Sequence, residues 1–201
     1  MKISSLMMPD PITVTEKSSI SEAIELMKVN SIRHLPVVSD LDILRGFVTL
    51  ADLKQGLIPS MVADLTLSDL MIKDPITIDP DSDIEIAAQL IYKHKIGGMP
   101  VVKKGIVVGI ITGTDILRAF IDMMGILTAS SRIDVVVGDE PESFKKASQT
   151  INDNGGDIIN VGMTAQQTSK RIYYFRLSQC KTAGIKKALE SEGFEVLATM
   201  D

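Results

Sequence analysis

Thr49 and Asp52 close the stretch Gly46-Phe47-Val48-Thr49-Leu50-Ala51-Asp52, and Thr112 and Asp115 stand at the same spacing in Gly109-Ile110-Ile111-Thr112-Gly113-Thr114-Asp115. A carboxylate can accept hydrogen bonds from both hydroxyls of a ribose. A threonine hydroxyl beside free helix-start amides suits a neighbouring phosphate. The same pair also works as a helix start, with Thr at the N-cap and a short acid at N3 satisfying orphan amides. One Thr can serve both ends, so the spacing leaves ribose recognition and capping open.

No grouping of residues offers catalysis. A metal site needs several converging His, Cys, Asp or Glu ligands. His34 and His94 occupy unrelated places and do not supply them. Asp79-Pro80-Asp81-Ser82-Asp83 looks like a calcium loop but lacks the glycine and closing glutamate of one, and a capped helix entry explains it. Cys180 precedes a predicted helix without a partner histidine in sequence. The phosphate-loop, zinc-protease and nucleophile-elbow patterns are all missing. The expectation is a non-enzymatic chain with no catalytic residue, no metal and no required cofactor.

The 201 residues are 45% apolar and 23% charged, an ordinary globular composition that predicts one or two domains. No apolar run approaches the ~18 residues that span a bilayer. The start, Met1-Lys2-Ile3-Ser4-Ser5, reads as no signal peptide. One cysteine excludes an internal disulfide and fits a reducing cytoplasm. A net charge of -5, no tryptophan and 4% aromatics argue against nucleic acid as a partner. The eleven methionines, scattered through apolar positions, read as core filler.

An internal repeat positions the Thr and Asp residues. Asp10-Pro11-Ile12-Thr13-Val14 returns as Asp74-Pro75-Ile76-Thr77-Ile78, and Leu35-Pro36-Val37-Val38 as Met99-Pro100-Val101-Val102, both at an offset of 64. The Thr-Asp stretches follow at 63, so one residue is lost in the turn between Ser39–Arg45 and its counterpart around Lys103-Lys104-Gly105. Each copy reads β-α-β-β-α. Ile20, Ala23, Ile24 and Met27 stripe the first helix, and Ile84, Ala87, Ala88 and Ile91 stripe its counterpart. Ser19 with Glu22, and Ser82 with Glu85, are the predicted capping pairs. Ile116, Leu117, Phe120 and Met124 form the predicted apolar face of the last helix of the repeat. Two such units of about 60 residues bury too little surface to stand alone, so pairing about a pseudo-twofold axis with a cleft on either side follows.

Beyond Thr128-Ala129-Ser130-Ser131, a predicted linker, the pattern changes. A strand at Ile133–Val137, a helix striped by Phe144, Ala147, Ser148 and Ile151, strands at Ile158–Met163 and Arg171–Leu177, a helix at Thr182–Glu192 and a closing strand at Phe194–Met200 give βαββαβ.

The tandem units, the Leu-Pro-Val-Val and Met-Pro-Val-Val strands and both Gly-x-x-Thr-x-x-Asp segments resemble paired CBS domains, a Bateman module, over about residues 1–127. The tail resembles an ACT domain, although Asp139-Glu140-Pro141-Glu142 stands where that family has Asp-x-Pro-Gly. Asn154-Gly155-Gly156-Asp157-Ile158 does match the glycine turn before the second strand. The whole chain resembles acetoin-utilisation proteins of the AcuB type. The resemblance implies an α/β (α+β) fold with CBS units at 1–60 and 61–127 and a ferredoxin-like ACT-like domain at 131–201. It implies a bacterial, cytoplasmic, homodimeric regulator of a metabolic enzyme. The implied ligand contains adenosine: AMP, ADP, ATP, S-adenosylmethionine or NAD.

Carried over by position, the resemblance puts Asp52 and Asp115 at ribose hydroxyls with Thr49 and Thr112 beside them. Ile12, Thr13, Ile76 and Thr77 lie along the adenine, with Ser18 and Ser82 near the nucleoside. Pro36 and Pro100 follow the positions where nucleotide-binding members carry basic residues. Those positions are Arg33 and His34 in the first copy, suited to phosphate oxygens, with His34 adding charge below neutral pH. In the second copy they are Gly97 and Gly98, which either admit a ligand close to backbone or make a tight turn. Phosphate is therefore expected where Arg33 and His34 reach. A scaffold that tethers an enzyme without sensing a nucleotide is the alternative.

Overall fold

Short apolar runs separated by polar turns form two sets of three strands, then a third sheet with helices on one face. The structure is a computed structural model and describes residues 1–55, 65–138, 141–164 and 171–201. It divides into two units, Met1–Arg118 and Ala119–Asp201. The expected border between the CBS units at 60 and 61 lies outside the described residues, as do Asp139, Glu140 and residues 165–170.

In the first unit a 3-10 turn at Ile3–Ser5 precedes β1 (Met8–Pro9), β2 (Val14–Thr15), α1 (Ile20–Val29), β3 (His34–Val38), β4 (Leu44–Thr49) and α2 (Leu50–Gln55). The second copy follows as α3 (Leu67–Leu70), α4 (Ile84–His94), β5 (Gly98–Lys103), β6 (Ile106–Thr112) and α5 (Gly113–Met123), the last of which continues past the unit boundary. β3 pairs antiparallel with β4 and parallel with β2, and β5 pairs antiparallel with β6. Pro36 and Pro100, which cannot donate to a ladder, are buried within β3 and β5.

The two copies exchange their opening segments. β1 pairs with β6 of the second copy, and the Ile3 amide donates to the Ser82 carbonyl at 3.0 Å. Reciprocally, Ile72 bridges to Phe47 of the first copy through bonds of 2.9 and 3.0 Å. Leu67 and Met71 join that copy's core with Ala23, Met27, Leu35, Val37 and Leu53. Met7 lies over Gly109 and Met71 over Gly46, so closely that a Cβ on either glycine would come within 2.5 Å of sulfur. The expected opening strands stay with their own copies, β2 beside β3 and Ile78 beside Val101, and it is the stretches before them, 3–9 and 67–72, that cross to the other copy.

Ser19 and Glu22 form the expected reciprocal capping box on α1. The Ser82–Glu85 expectation is corrected: α4 is capped at Asp83, with no side-chain cap bond. The 64-residue offset maps Ser19 onto Asp83. There the carboxylate is drawn to Lys2 at 2.9 Å instead of to its own helix amides. The expected apolar face of α5 is also narrower than the stripe. Ile116 and Ala119 are buried, while Leu117 is 59% exposed and Phe120 37%. A hydrophobic stripe marks what can be buried, but only the neighbouring surface decides how much of it is.

The second unit runs β7 (Ser130–Val137), α6 (Pro141–Asp153), β8 (Ile158–Thr164), β9 (Arg171–Ser178), α7 (Thr182–Ser191) and β10 (Glu195–Met200). Its antiparallel sheet has the order β10-β7-β9-β8, which with the element order is the expected ferredoxin-like arrangement. Ile133, Val135, Val137, Phe175 and Leu177 meet Ala147, Ile151, Ile185 and Leu189 of the two helices in one core. Strand alternation sends Arg132, Asp134 and Arg176 to the opposite face.

Candidate functional site

Both Thr-Asp pairs sit where a strand hands over to a helix, and both are complete capping units. Thr49 donates its amide (3.1 Å) and hydroxyl (2.7 Å) to Asp52 Oδ2, and the Asp52 amide donates back to Thr49 Oγ1 at 3.3 Å. Thr112 and Asp115 repeat this at 2.8, 2.6 and 3.4 Å. In each pair Oδ2 takes both threonine bonds, and Oδ1 takes no part in the cap.

Each pair borders a hollow walled on its other side by the opposite copy. The first cleft, about 710 Å³, joins Arg33, His34, Thr49, Asp52 and Lys54 to Asp74, Pro75, Ile76, Lys95, Gly97 and Gly98. The second, about 440 Å³, joins Thr112, Thr114 and Asp115 to Asp10, Pro11, Ile12, Asn30 and Ser31, with Arg33, His34 and Gly97 at its side. The acid of one copy thus faces the Asp-Pro-Ile segment of the other.

Arg33 and His34 border both clefts, so they do not distinguish them. The difference lies elsewhere in the repeat. Lys95 and its counterpart Ser31 both end a first helix with φ 54, and each lines a cleft, but only one carries charge. Lys54 lines the first cleft, while its counterpart, Leu117, does not line the second. Counting lining side chains with His34 neutral, the first cleft is net positive and the second net negative.

His34 is stacked on Phe47 with ring centroids 5.7 Å apart. Burial, and then the Arg33 charge, hold its pKa below the ordinary histidine range, with Asp52 pulling the other way. At neutral pH His34 therefore offers a ring and a hydrogen bond, not a charge. Gly97 makes room for that ring, since a Cβ there would meet His34 Nε2 at 2.8 Å. Gly98 makes room for the Ile111 carbonyl, likewise 2.8 Å from an added Cβ. Gly98 opens β5 and no positive φ is recorded at either glycine, so close approach of neighbours explains both better than a tight turn.

Thr13, Ser18, Pro36, Thr77, Ser82 and Pro100 line neither cleft. The two prolines are strand interior, Ser18 Oγ accepts from the Thr15 amide at 3.3 Å, and the Ser82 carbonyl is taken by Ile3. Sequence reasoning passed over Lys54, Lys95 and Ser31. It also passed over Asp10 and Asp74, although the repeat itself had marked both acids. Among the described residues no cluster of three or more His, Cys, Asp or Glu could hold a metal ion. No helix among them is long and apolar enough to cross a membrane.

The family described as CBS domain matches residues 3–58 and 67–122. Homoserine O-acetyltransferase of Methanocorpusculum labreanum is 42% identical over 103 residues, 51% of this chain and 20% of that protein. The chain spans about a fifth of the length of the curated relatives it matches first. Among solved structures, the AcuB protein of Vibrio cholerae, assigned to acetoin utilization, superposes with a TM-score of 0.58 at 31% identity. That match covers 63% of this chain and 96% of that one. The CBS domain pair of protein MJ0100, in complex with 5'-methylthioadenosine and S-adenosyl-L-methionine, gives 0.56 at 31% over 60% and 99%. CBSX2 in complex with AMP gives 0.54 at 28% over 60% and 96%.

Proposed function

The chain belongs to the CBS-domain family, and from that premise we propose that it is a non-catalytic sensor binding adenosine-containing ligands in its two clefts. One observation carries the reading. In each hollow a carboxylate with one oxygen outside its cap faces the Asp-Pro-Ile segment of the other copy. Oδ1 of Asp52 and of Asp115 accepts the ribose hydroxyls, and Ile76 and Ile12 give the adenine an apolar edge. The complexes of related pairs with AMP and with S-adenosyl-L-methionine support this ligand class.

The charge difference sorts the ligands. Arg33, Lys54 and Lys95 suit the first cleft to the phosphates of AMP, ADP or ATP. The second cleft, with Asp10 and Asp115, suits an adenosine ligand of low negative charge such as S-adenosylmethionine. Thr13, Ser18, Thr77, Ser82 and the two prolines support the walls. Occupation shifts the packing of the two copies only as far as the ligand prefers one arrangement over another. The βαββαβ unit, read as an ACT-like domain, passes that change to a metabolic enzyme. A homodimer in a bacterial cytoplasm is the setting. The completeness of both Thr-Asp caps favours the rival reading, a scaffold without a ligand.

Calorimetric titration with AMP, ADP, ATP, S-adenosylmethionine and NAD separates the two. Binding of at least one, weakened by Asp52→Ala or Asp115→Ala, is expected. A ligand at about a hundred times its Kd also stabilises the fold by ~2.7 kcal/mol. Heats of dilution alone for all five at millimolar concentration overturn the sensor reading and leave the scaffold.

A further inference from the structure

Among the described residues, three buried side-chain polar atoms lack a hydrogen bond: Arg132 Nε, Asp134 Oδ1 and Asn160 Oδ1. All three lie on the face of the four-stranded sheet opposite α6 and α7. Arg132 pairs directly across from Arg176, and Arg176 directly across from Asn160, so the three side chains form a row over three strands. They line a cavity of about 190 Å³ closed by Met124, Ile126 and Tyr174. Its size falls below the ~300–1,000 Å³ typical of drug-sized ligands and cofactors.

The row is unbalanced. Like charges directly opposite one another destabilise a sheet unless something answers them. Asp134 Oδ1 stands 3.0 Å from Arg132 Nε as an ion pair, so these two atoms answer each other by charge, while Asn160 Oδ1 is left without a partner. Burial pushes the Asp134 carboxyl above its usual range, against the pull of both arginines. Arg176, buried, takes a neutral partner, donating Nη1 to Ser130 Oγ at 2.7 Å. Asn160 Nδ2 donates to the Met123 carbonyl at 2.9 Å. A carbonyl can only accept, so the amide is fixed with Oδ1 as its unanswered acceptor.

We propose that this cavity binds a small hydroxycarboxylate, its carboxylate between Arg132 and Arg176 and its hydroxyl donating to Asn160. Two guanidiniums and one carboxylate leave a surplus positive charge that a monoanion neutralises and a zwitterionic amino acid does not. A buried unsatisfied acceptor in a native fold needs a partner, and this ligand supplies a donor to Asn160 Oδ1 and a further acceptor for Arg176 and the Arg132–Asp134 pair. The assignment stands apart from the nucleotide reading, because every residue it uses lies between Met123 and Arg176.

The test is titration of the full chain with glycolate, followed by NMR shifts and calorimetry. Propionate lacks the donor, propane-1,2-diol lacks the charge, and glycine is the zwitterion. Glycolate should bind at least several-fold tighter than each of these. Arg132→Gln, at a partly exposed side chain, should weaken glycolate about tenfold, the order expected for one charged hydrogen bond. Asp134→Asn should tighten it, a direction that a merely structural role does not produce. Circular dichroism confirms that each variant folds. No glycolate binding at 20 mM, equal binding of chloride or glycine, or weakening by Asp134→Asn overturns the proposal.

Discussion

Replacing Gly97 with alanine tests how the seam between the copies is held. The added Cβ falls 2.8 Å from His34 Nε2 and 3.1 Å from Cε1, about 0.7 Å inside an ordinary contact of roughly 3.5 Å. The ring has to move, and its stack on Phe47 at 5.7 Å opposes that. Overpacking costs about 1–3 kcal/mol, and a side-chain obstacle belongs in the lower half of that range. Against it, alanine in a backbone it tolerates returns about 0.4–1 kcal/mol by restricting the unfolded chain. Gly97→Ala should therefore destabilise by about 0–1.6 kcal/mol in the natural background. In a His34→Ala background the obstacle is gone, and the same change should stabilise by about 0.4–1 kcal/mol. Urea unfolding of the four proteins, followed by far-UV circular dichroism, gives the coupling, expected at about 1–2 kcal/mol. Additivity within about 0.5 kcal/mol would refute the claim that Gly97 is small for the sake of His34.

Leu67→Ala, at a fully buried side chain of the exchanged segment, should cost about 2–5 kcal/mol, read from urea midpoints. If it cost under 1 kcal/mol, the segment would not belong to that core. The double change Lys54→Gln/Lys95→Gln should weaken ATP roughly tenfold or more and leave S-adenosylmethionine within twofold, by calorimetry. Equal losses would refute the sorting by charge. His34 is held below its ordinary pKa by burial and Arg33, so the unfolded chain takes up a proton first as pH falls. The stability tied to neutral His34 is fully present above about pH 6.5 and is lost as pH falls below it. His34→Gln should flatten that limb of a stability–pH curve, and an unchanged limb would show that other groups cause it.

Much of this architecture was legible because the chain says the same thing twice. The 64-residue offset, with its one-residue loss at a turn, announced paired units, their strands and their Thr-Asp helix starts. Period and punctuation gave the βαββαβ tail. What the repeat could not tell was which copy a segment would join. Met7 and Met71 are equivalent in either arrangement, and only main-chain pairing across the axis distinguishes them. The Ser82–Glu85 pair misled because a good local capping pattern lay one residue away from the register that the repeat required. The difference between the clefts was present in the letters, as Lys95 against Ser31. Its meaning depended on both residues turning toward a hollow, and that orientation has no sequence signature.

The trading of opening segments has a further consequence for the chain's history and handling. Severed between the copies, each half would keep its own strands but carry the wrong first turn. Its bare glycine groove would be left to water or to a stranger. Two severed halves should find each other again, each completing its neighbour, in the manner of a domain-swapped dimer. The peptide connection turns that bimolecular search into an intramolecular one, at an effective concentration on the order of millimolar. Dilution therefore cannot dissolve the partnership, and the two hollows persist however scarce the protein becomes.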